Sequence, residues 1–214
     1  MSLRIRRLLL RVLLSAKAGL KGGMGMMSSK YFSDCARVLV YPSSFFLKVS
    51  PKDLYNKGFV FALKNIALFS FALGVLLVLM GPDVRTGFVA LFMVVGVIVS
   101  GVAELFVFSF SFHLFLKLFG AKRSFDETFG VVGYSSCVLL YAWFLPLMVV
   151  APFHALYIAS AGFARVHGVS RFRGVVAMIL PVVVAGVLLF LLVRSGSVDW
   201  VLDALRVFYS VRVF

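Results

Sequence analysis

Long apolar runs separated by short polar clusters dominate this chain. Between Thr128 and Ala164 no Asp, Glu, Lys or Arg interrupts 37 residues, whereas one membrane crossing needs about 20 apolar residues. This run therefore predicts a helical hairpin that enters and leaves at the same face, with its turn between Pro146 and Pro152. Each arm of about 16–17 residues is slightly short for a hydrocarbon core of about 30 Å. We therefore expect the turn to lie at or below the outer headgroups.

Three further apolar runs predict one crossing each. The first carries Lys64 in its first third, and the second is longer than one crossing requires, which favours a tilted helix. Together with the two hairpin arms they predict an all-α, polytopic membrane protein with a five-helix bundle. The predicted spans outside the hairpin are residues 58–80, 87–119 and 172–193.

Polar residues between the runs predict where helices begin and end. Ser50 is placed to cap the helix that continues into span one. Ser124 and Glu127 have the spacing of a capping box at the start of span three. Gly168 predicts the end of span four, and Ser170 predicts the N-cap of span five.

Both ends of the chain have the pattern of amphipathic helices that lie in the membrane interface. In residues 1–21 the apolar and basic side chains fall on opposite faces at 100° per residue. The basic side chains expected to contact lipid headgroups are Arg4, Arg6, Arg7, Arg11 and Lys17. Residues 197–214 place Trp200 and Leu205 on one apolar face, which is expected to cover the hairpin turn. The predicted divisions are a basic arm over 1–57, the membrane domain over 58–194 and the terminal helix over 195–214.

Composition agrees with this interpretation. Hydrophobic residues make up 62% of the 214 residues and charged residues 14%, against about 45–50% and about 25% in soluble domains. The net charge of +14 collects beside the apolar spans, which is the pattern of the positive-inside rule rather than of nucleic-acid binding. Of the 22 Lys and Arg residues, 17 lie in the segments predicted to be cytoplasmic and four in the outer segments. We therefore expect a cell-membrane protein with its N-terminus inside and its C-terminus outside.

The sequence offers little catalytic chemistry. It has no Walker loop, no nucleophile elbow and no zinc-binding spacing of His and Cys. Cys35 and Cys137 fall in different segments and are expected at different levels, so no disulfide framework is predicted. We therefore expect a protein that is not an enzyme and needs no cofactor or metal.

A few polar residues within the spans are candidates for function. Glu104 is the one acid inside a predicted span, and an intramembrane charge is costly enough to suggest a role. Its candidate partners are Lys64 and His154. A structural ion pair or a protonated carboxyl is the favoured interpretation, and a functional group is the alternative. His113 shares a face with Lys117 and is expected to be hydrogen-bonded rather than catalytic.

Four short motifs flank the predicted spans in a fixed order. They are Pro42-Ser43-Ser44-Phe45-Phe46, Phe119-Gly120-Ala121-Lys122-Arg123-Ser124-Phe125, Val132-Gly133-Tyr134-Ser135-Ser136 and Val166-His167-Gly168-Val169-Ser170. Together they resemble the membrane domain of the Yip family (Ypt/Rab-interacting membrane proteins), over about residues 42–194. The motif residues taken as family markers are Gly120, Ser124, Phe125, Tyr134, His167, Gly168 and Ser170. Ala121, Cys137 and Arg165 depart from the usual glycine, proline and acid.

The resemblance implies five spans with a cytoplasmic N-terminus. Eukaryotic relatives act in membrane traffic and bind small GTPases and one another, and this chain resembles a prokaryotic-type member instead. It lacks the long acidic or proline-rich arm expected of a trafficking member, so a small GTPase is not the expected partner. Anionic lipid and other membrane proteins, or a second copy of the chain, are the expected partners.

Three functions compete. The first is a non-enzymatic scaffold that organises lipid or recruits partners through its basic arm and cytoplasmic loops. The second is a small transporter or channel subunit that uses Glu104 and His154. The third, a membrane enzyme, lacks paired acids, a nucleophile with its base, or a metal cluster. A water-filled cavity at Glu104 would favour the second function, and a dry, packed bundle would favour the first.

Overall fold

The structure is a computed structural model that describes residues 26–81 and 83–195, and this part is helical with no strand. Residues 1–25 and 196–214, which include both predicted interfacial helices, their headgroup residues and the predicted cover of the hairpin turn, lie outside the described residues. The described α-helices are α1 (Met26–Val40), α2 (Pro42–Lys48), α3 (Pro51–Met80), α4 (Val84–Leu118), α5 (Phe125–Ser135), α6 (Leu139–Ala142), α7 (Leu145–Met148), α8 (Ala151–Val166) and α9 (Arg171–Arg194).

The helix boundaries follow the polar signals in the sequence. Ser50 is the N-cap residue of α3, and Ser124 forms a capping box with Glu127 at the start of α5. Gly168 ends the turn after α8 with a φ of 70°, a conformation that glycine adopts without a steric cost. The side chain of Ser170 accepts a hydrogen bond from the backbone N–H of Arg173 and caps α9.

The number of long spans differs from the prediction. Within the described residues four helical segments are long and apolar enough to cross a membrane, and they are Asp53–Met80, Val84–Leu118, Pro146–Val166 and Arg171–Arg194. The predicted third span is instead divided into α5, a 3₁₀ turn over Ser136–Val138, and α6. The hydroxyls of Ser135 and Ser136 donate to the carbonyl oxygens of Val131 and Gly133. Such local bonds compete with the regular helix and coincide with its break.

α3 and α5 cross with their backbones almost in contact. A Cβ atom built on Gly133 would lie 2.5 Å from the carbonyl oxygen of Gly58, and one on Gly130 would lie 2.5 Å from that of Leu54. Only glycine can occupy positions with so little room. Small residues at helix crossings are how membrane helices approach closely, because lipid gives no hydrophobic drive for association.

The core lies towards one end of the bundle, where α3 and α5 begin, α4 and α8 end, and α9 begins. We call this the basic end, because the helix ends and the loop there carry Lys117, Lys122, Arg123, Arg165, Arg171 and Arg173. The largest fully buried side chains include Phe129, Phe163, Leu54 and Leu116. At the far end, the outward halves of α3, α4 and α9 expose most of their apolar side chains.

The hairpin of α5 to α8 stops short of the far end. Asn65 in α3 contacts Ser136, which places these two residues at one level. From Ser136 the chain climbs only to Ala142, about 9 Å at helical rise, whereas α3 continues to Met80, about 22 Å. The hairpin turn therefore lies well below the end of α3, and its depth in the bilayer stays a prediction.

Residues before the first long span form part of the packed body. Cys35 and Val38 of α1 and Phe45 and Phe46 of α2 are buried in the main core cluster. Cys137 belongs to the same cluster, and both cysteines are free thiols. The expectation that they lie at different levels was therefore wrong, because α1 packs into the bundle instead of lying apart from it.

Candidate functional site

Three polar bridges connect helices inside the bundle, and the first lies at the basic end. The hydroxyl oxygen of Thr128 is 2.8 Å from His113 Nδ1 and 3.0 Å from His167 Nε2. Since a hydroxyl has one proton, Thr128 can donate to only one of the two imidazoles, so it accepts from at least one of them. This His113–Thr128–His167 bridge joins α4, the first turn of α5 and the end of α8. His113 is thus hydrogen-bonded, as predicted.

His167 is kept neutral by its surroundings. Burial lowers its pKa to about 4, and the nearby His113, Lys117 and Arg123 act in the same direction, whereas Glu127 opposes them. Its Nδ1 atom is buried and has no hydrogen-bond partner among the described residues. A neutral imidazole suits the bridge, because protonation would place a charge in a site without a compensating acceptor.

A second bridge joins α1 to α3 and to the 3₁₀ turn that follows α5. The Tyr31 hydroxyl donates to the side-chain oxygen of Asn65, and the Asn65 amide donates to the Ser136 hydroxyl over 2.9 Å. Asn65 is completely buried. Burial also raises the pKa of the neighbouring Cys35 thiol to about 11, so this thiol is protonated and weakly nucleophilic at neutral pH.

The third bridge contains His154. Its Nε2 lies 3.0 Å from the carbonyl oxygen of Leu39, which can only accept, so Nε2 carries the proton. The other ring nitrogen, Nδ1, then accepts from the Tyr141 hydroxyl over 2.7 Å. His154 is therefore a satisfied interior group that fastens α8 to α1 and α6.

The predicted contacts of Glu104 with Lys64 or His154 do not form. Glu104 is exposed near the middle of α4, with no hydrogen bond or ion pair to any described residue. Lys64 lies on another side of α3, with its Nζ 5.5 Å from the ring centre of Tyr31. The two helices meet instead through Ile66 and Gly101. The partner prediction failed because equal depth in the bundle does not place side chains on facing sides.

The four sequence motifs meet in pairs. The rings of Phe45 and Phe46 from the first motif lie 4.8 and 6.2 Å from that of Tyr134 in the third. The loop of the second motif places Phe125 edge-on to His113, 5.8 Å between ring centres. The fourth motif supplies His167 to the same bridge, and Gly120 in the second motif has a φ of 85°. Residues far apart in the sequence therefore form two contact groups.

The match to a family model covers the same region. Residues 36–193 match the family described as the Yip1 domain. The chain belongs to this family. In this Yip1-domain protein the matched region includes α2 to α8, nearly all of α9 and the last five residues of α1. Residues 36–57 of the predicted N-terminal arm are therefore part of the family domain. Neither the curated proteins nor the solved structures give a match.

Some residues of the Yip1 domain bridges were not singled out in the sequence. Thr128 and Asn65 are buried polar residues within apolar runs, and that position was the available signal. Gly58 and Gly130 had no signal of their own, because their role depends on the α3–α5 crossing.

The described residues contain no group of three or more His, Cys, Asp and Glu side chains that could hold a metal ion. What the bridges can do chemically is fix helix positions and exclude charge from the interior. Each connects groups on two or three different helices through neutral hydrogen bonds.

Proposed function

We propose that this Yip1-domain protein is a non-enzymatic scaffold that organises the membrane or recruits partner proteins through the loops at its basic end. One observation carries the proposal: the interior polar side chains bond helix to helix. His113, Asn65 and His154 each take part in a bridge to another helix. A rigid body of this kind suits the presentation of loops.

The transporter or channel alternative has less support. A transport path that uses Glu104 and His154 would have to be polar, and both side chains would have to line it. Glu104 faces outward, and both nitrogens of His154 are engaged within the protein. A cleft of about 350 Å³ between α3 and α4 is lined only by apolar groups such as Phe71 and Val94, which suits lipid chains better than a hydrated solute.

Reconstitution tests this choice. Proteoliposomes that contain the full chain and an internal pH dye should show no proton flux above that of empty liposomes. Glu104→Gln should show the same absence of proton flux. Flux that requires Glu104 would overturn the scaffold proposal.

Partner capture tests the positive side of the proposal. A photo-crosslinking residue placed at exposed Asp126 or Arg165, at the basic end, should capture a discrete membrane protein or a second copy in native membranes. The same residue at exposed Val84, at the far end, is the control. Equal capture at the two ends would contradict recruitment through the basic end, and capture of a small GTPase would overturn our expectation about partners.

We also propose that residues 125–142 cross as a fifth segment, with the N-terminus in the cytoplasm and the C-terminus outside the cell membrane. These 18 residues are helical throughout apart from the 3₁₀ turn and would span about 27 Å. The bias of 17 to four basic residues supports this orientation. A reporter active only in the cytoplasm, fused after Phe214, should stay silent, and activity there would remove one crossing.

A further inference from the structure

Basic side chains from two helices and the loop between α4 and α5 converge where α4 ends and α9 begins. Arg173 Nη1 lies 3.5 Å from the carbonyl oxygen of Phe119, directly before the loop that carries Lys122 and Arg123. Lys117 and Arg123 both act electrostatically on His167, which places them around the same bridge. We call Lys117, Lys122, Arg123 and Arg173 the basic cluster.

The charge of this cluster is not compensated by acids. All four side chains are exposed, and none forms an ion pair with a described residue. The nearest carboxylate along the chain, Asp126, is exposed and forms no ion pair with a described residue. The next, Glu127, accepts from the backbone N–H and hydroxyl of Ser124. Arg173 also occupies the first turn of α9, where the helix dipole disfavours a positive charge. An anionic ligand would relieve both costs.

The surroundings of the cluster indicate a lipid rather than a soluble anion. Leu118 follows Lys117 and is 78% exposed, and Phe172 precedes Arg173 and is 76% exposed. Exposed Leu114 and Ile179 continue the apolar surface along α4 and α9 towards the far end. A charged group beside apolar side chains that lead into the membrane has the chemistry of a headgroup above its acyl chains.

The positive-inside rule accounts for the presence of basic residues here but not for their placement. It requires only charge near the ends of the spans. In this protein the guanidinium of Arg173 donates over 3.5 Å to the carbonyl oxygen of Phe119, directly after α4, and that of Arg171 donates to the Ser43 hydroxyl over 2.7 Å. Hydrogen bonds to neutral acceptors fix these side chains and leave their charge available.

We propose that the basic cluster binds the phosphate of an anionic membrane lipid, with the acyl chains against Leu118 and Phe172. Lys122 and Arg123 approach the phosphate from the loop, and Lys117 and Arg173 approach it from the two helices. The site is independent of the scaffold role and of the basic arm in residues 1–57.

Lipid binding to the purified full chain tests the site. Native mass spectrometry in detergent would compare phosphatidylglycerol with phosphatidylcholine of the same acyl chains. Arg123→Gln with Arg173→Gln should weaken phosphatidylglycerol binding about 30-fold, at roughly 1 kcal/mol for each basic residue. The matched control is Arg85→Gln with Arg194→Gln, which removes two exposed charges at the far end and should change binding less than about twofold.

Further experiments distinguish the phosphate of a lipid from a soluble phosphate. Inorganic phosphate and glycerophosphoglycerol, which lack acyl chains, should not displace the lipid at equal concentration. Leu118→Ser with Phe172→Ser should weaken the binding of both lipids, and the preference of the site for the anionic lipid should stay the same. If the double arginine variant misfolds by circular dichroism, Lys122→Gln, which changes an exposed loop side chain, replaces it and should weaken binding several-fold.

Three results would overturn the proposal. One is equal binding of phosphatidylcholine and phosphatidylglycerol. Another is an equal loss in the basic-cluster and far-end variants, which would mean that only net charge matters. The last is displacement by inorganic phosphate, which would make the cluster a site for a soluble anion.

Discussion

At the basic end of the bundle several phenylalanine side chains are enclosed by other helices, whereas phenylalanine side chains on the far halves of α3, α4 and α9 face outward. Phe129 and Phe163 are completely buried, while Phe71, Phe92 and Phe190 are exposed. Composition does not distinguish these regions, because both are strongly apolar. The difference lies in what surrounds the side chains.

The comparison shows what holds helices together when lipid is the solvent. A leucine or phenylalanine gains little by moving from acyl chains to a helix surface, so close fit and hydrogen bonds decide where helices meet. The packed part, which extends from the basic end to the hairpin turn, has the Gly58–Gly130 contact and all three polar bridges. At the far end, Gly87 and Gly186 have open space where a side chain would be.

Truncation of a buried ring should give the largest difference between the two ends. Phe163→Ala is expected to lower the free energy of unfolding by about 4 kcal/mol, because the surrounding helices cannot fill the cavity. Phe190→Ala, at a position 61% exposed, should cost under about 1 kcal/mol because lipid or detergent fills the space. Reversible unfolding in mixed micelles measures both values. Equal losses would mean that the far end is packed against something in solution.

Acid should weaken the packed end through His167. Its pKa is about 4 in the folded protein and 6.5 when unperturbed, so the unfolded chain binds the proton first as the pH falls. The contribution of neutral His167 to the free energy of unfolding is therefore fully present above about pH 6.5. It should fall by roughly 3 kcal/mol by about pH 4. Unfolding measured across this range should be less pH-dependent in His167→Gln. Identical pH profiles of the two proteins would contradict the assignment.

A methyl group added at the α3–α5 crossing tests the role of close fit. Gly133→Ala should destabilise the protein by about 2 kcal/mol, because its Cβ would overlap the Gly58 backbone. Gly96→Ala in α4, where a Cβ meets nothing within 4 Å, should be neutral or stabilising by up to about 1 kcal/mol. Melting temperatures of the two variants and the unchanged protein, measured in the same detergent, rank their stabilities. A neutral Gly133→Ala would show that the crossing can relax.

Removal of one hydroxyl should have the smallest effect. Thr128→Val keeps the shape of the side chain but leaves His113 and His167 without their shared partner, at a cost of about 1.5 kcal/mol. Ser111→Ala, which removes an exposed hydroxyl bonded within its own helix, is the control and should change stability by less than about 0.5 kcal/mol. The shift in unfolding midpoint measures both. A cost at Ser111 equal to that at Thr128 would contradict the importance of the bridge.

Local signals in the sequence located most of the helix boundaries. The capping box at Ser124 and the glycine at Gly168 act through their own backbone neighbours, so their effect can be read without the fold. The family resemblance was also carried by local motifs, and the match over residues 36–193 confirms it. The five-span count was not confirmed, because serine hydroxyls interrupt the third predicted span.

The candidate site was harder to predict, because bridges depend on which helix faces meet. His154 and His113 were recognised as polar residues in apolar spans, but the carbonyl of Leu39 and the hydroxyl of Thr128 were not foreseen as partners. Glu104 was assigned partners by depth alone, although Lys64 lies over Tyr31. Which sides of two helices face each other depends on the rotation of each helix about its axis. Hydrophobic periodicity does not determine this rotation in spans that are apolar all round.

The short hairpin has a consequence for the shape of the molecule in a bilayer. Where the hairpin turn ends, only α3, α4 and α9 continue among the described helices, whereas at the basic end α5, α8 and the two N-terminal helices lie beside them. The described part of the chain is thus wider in cross-section at the basic end than at the far end. In a bilayer, lipid has to fill the space beside the three continuing helices, and copies packed closely enough to exclude that lipid would curve the membrane towards the far end.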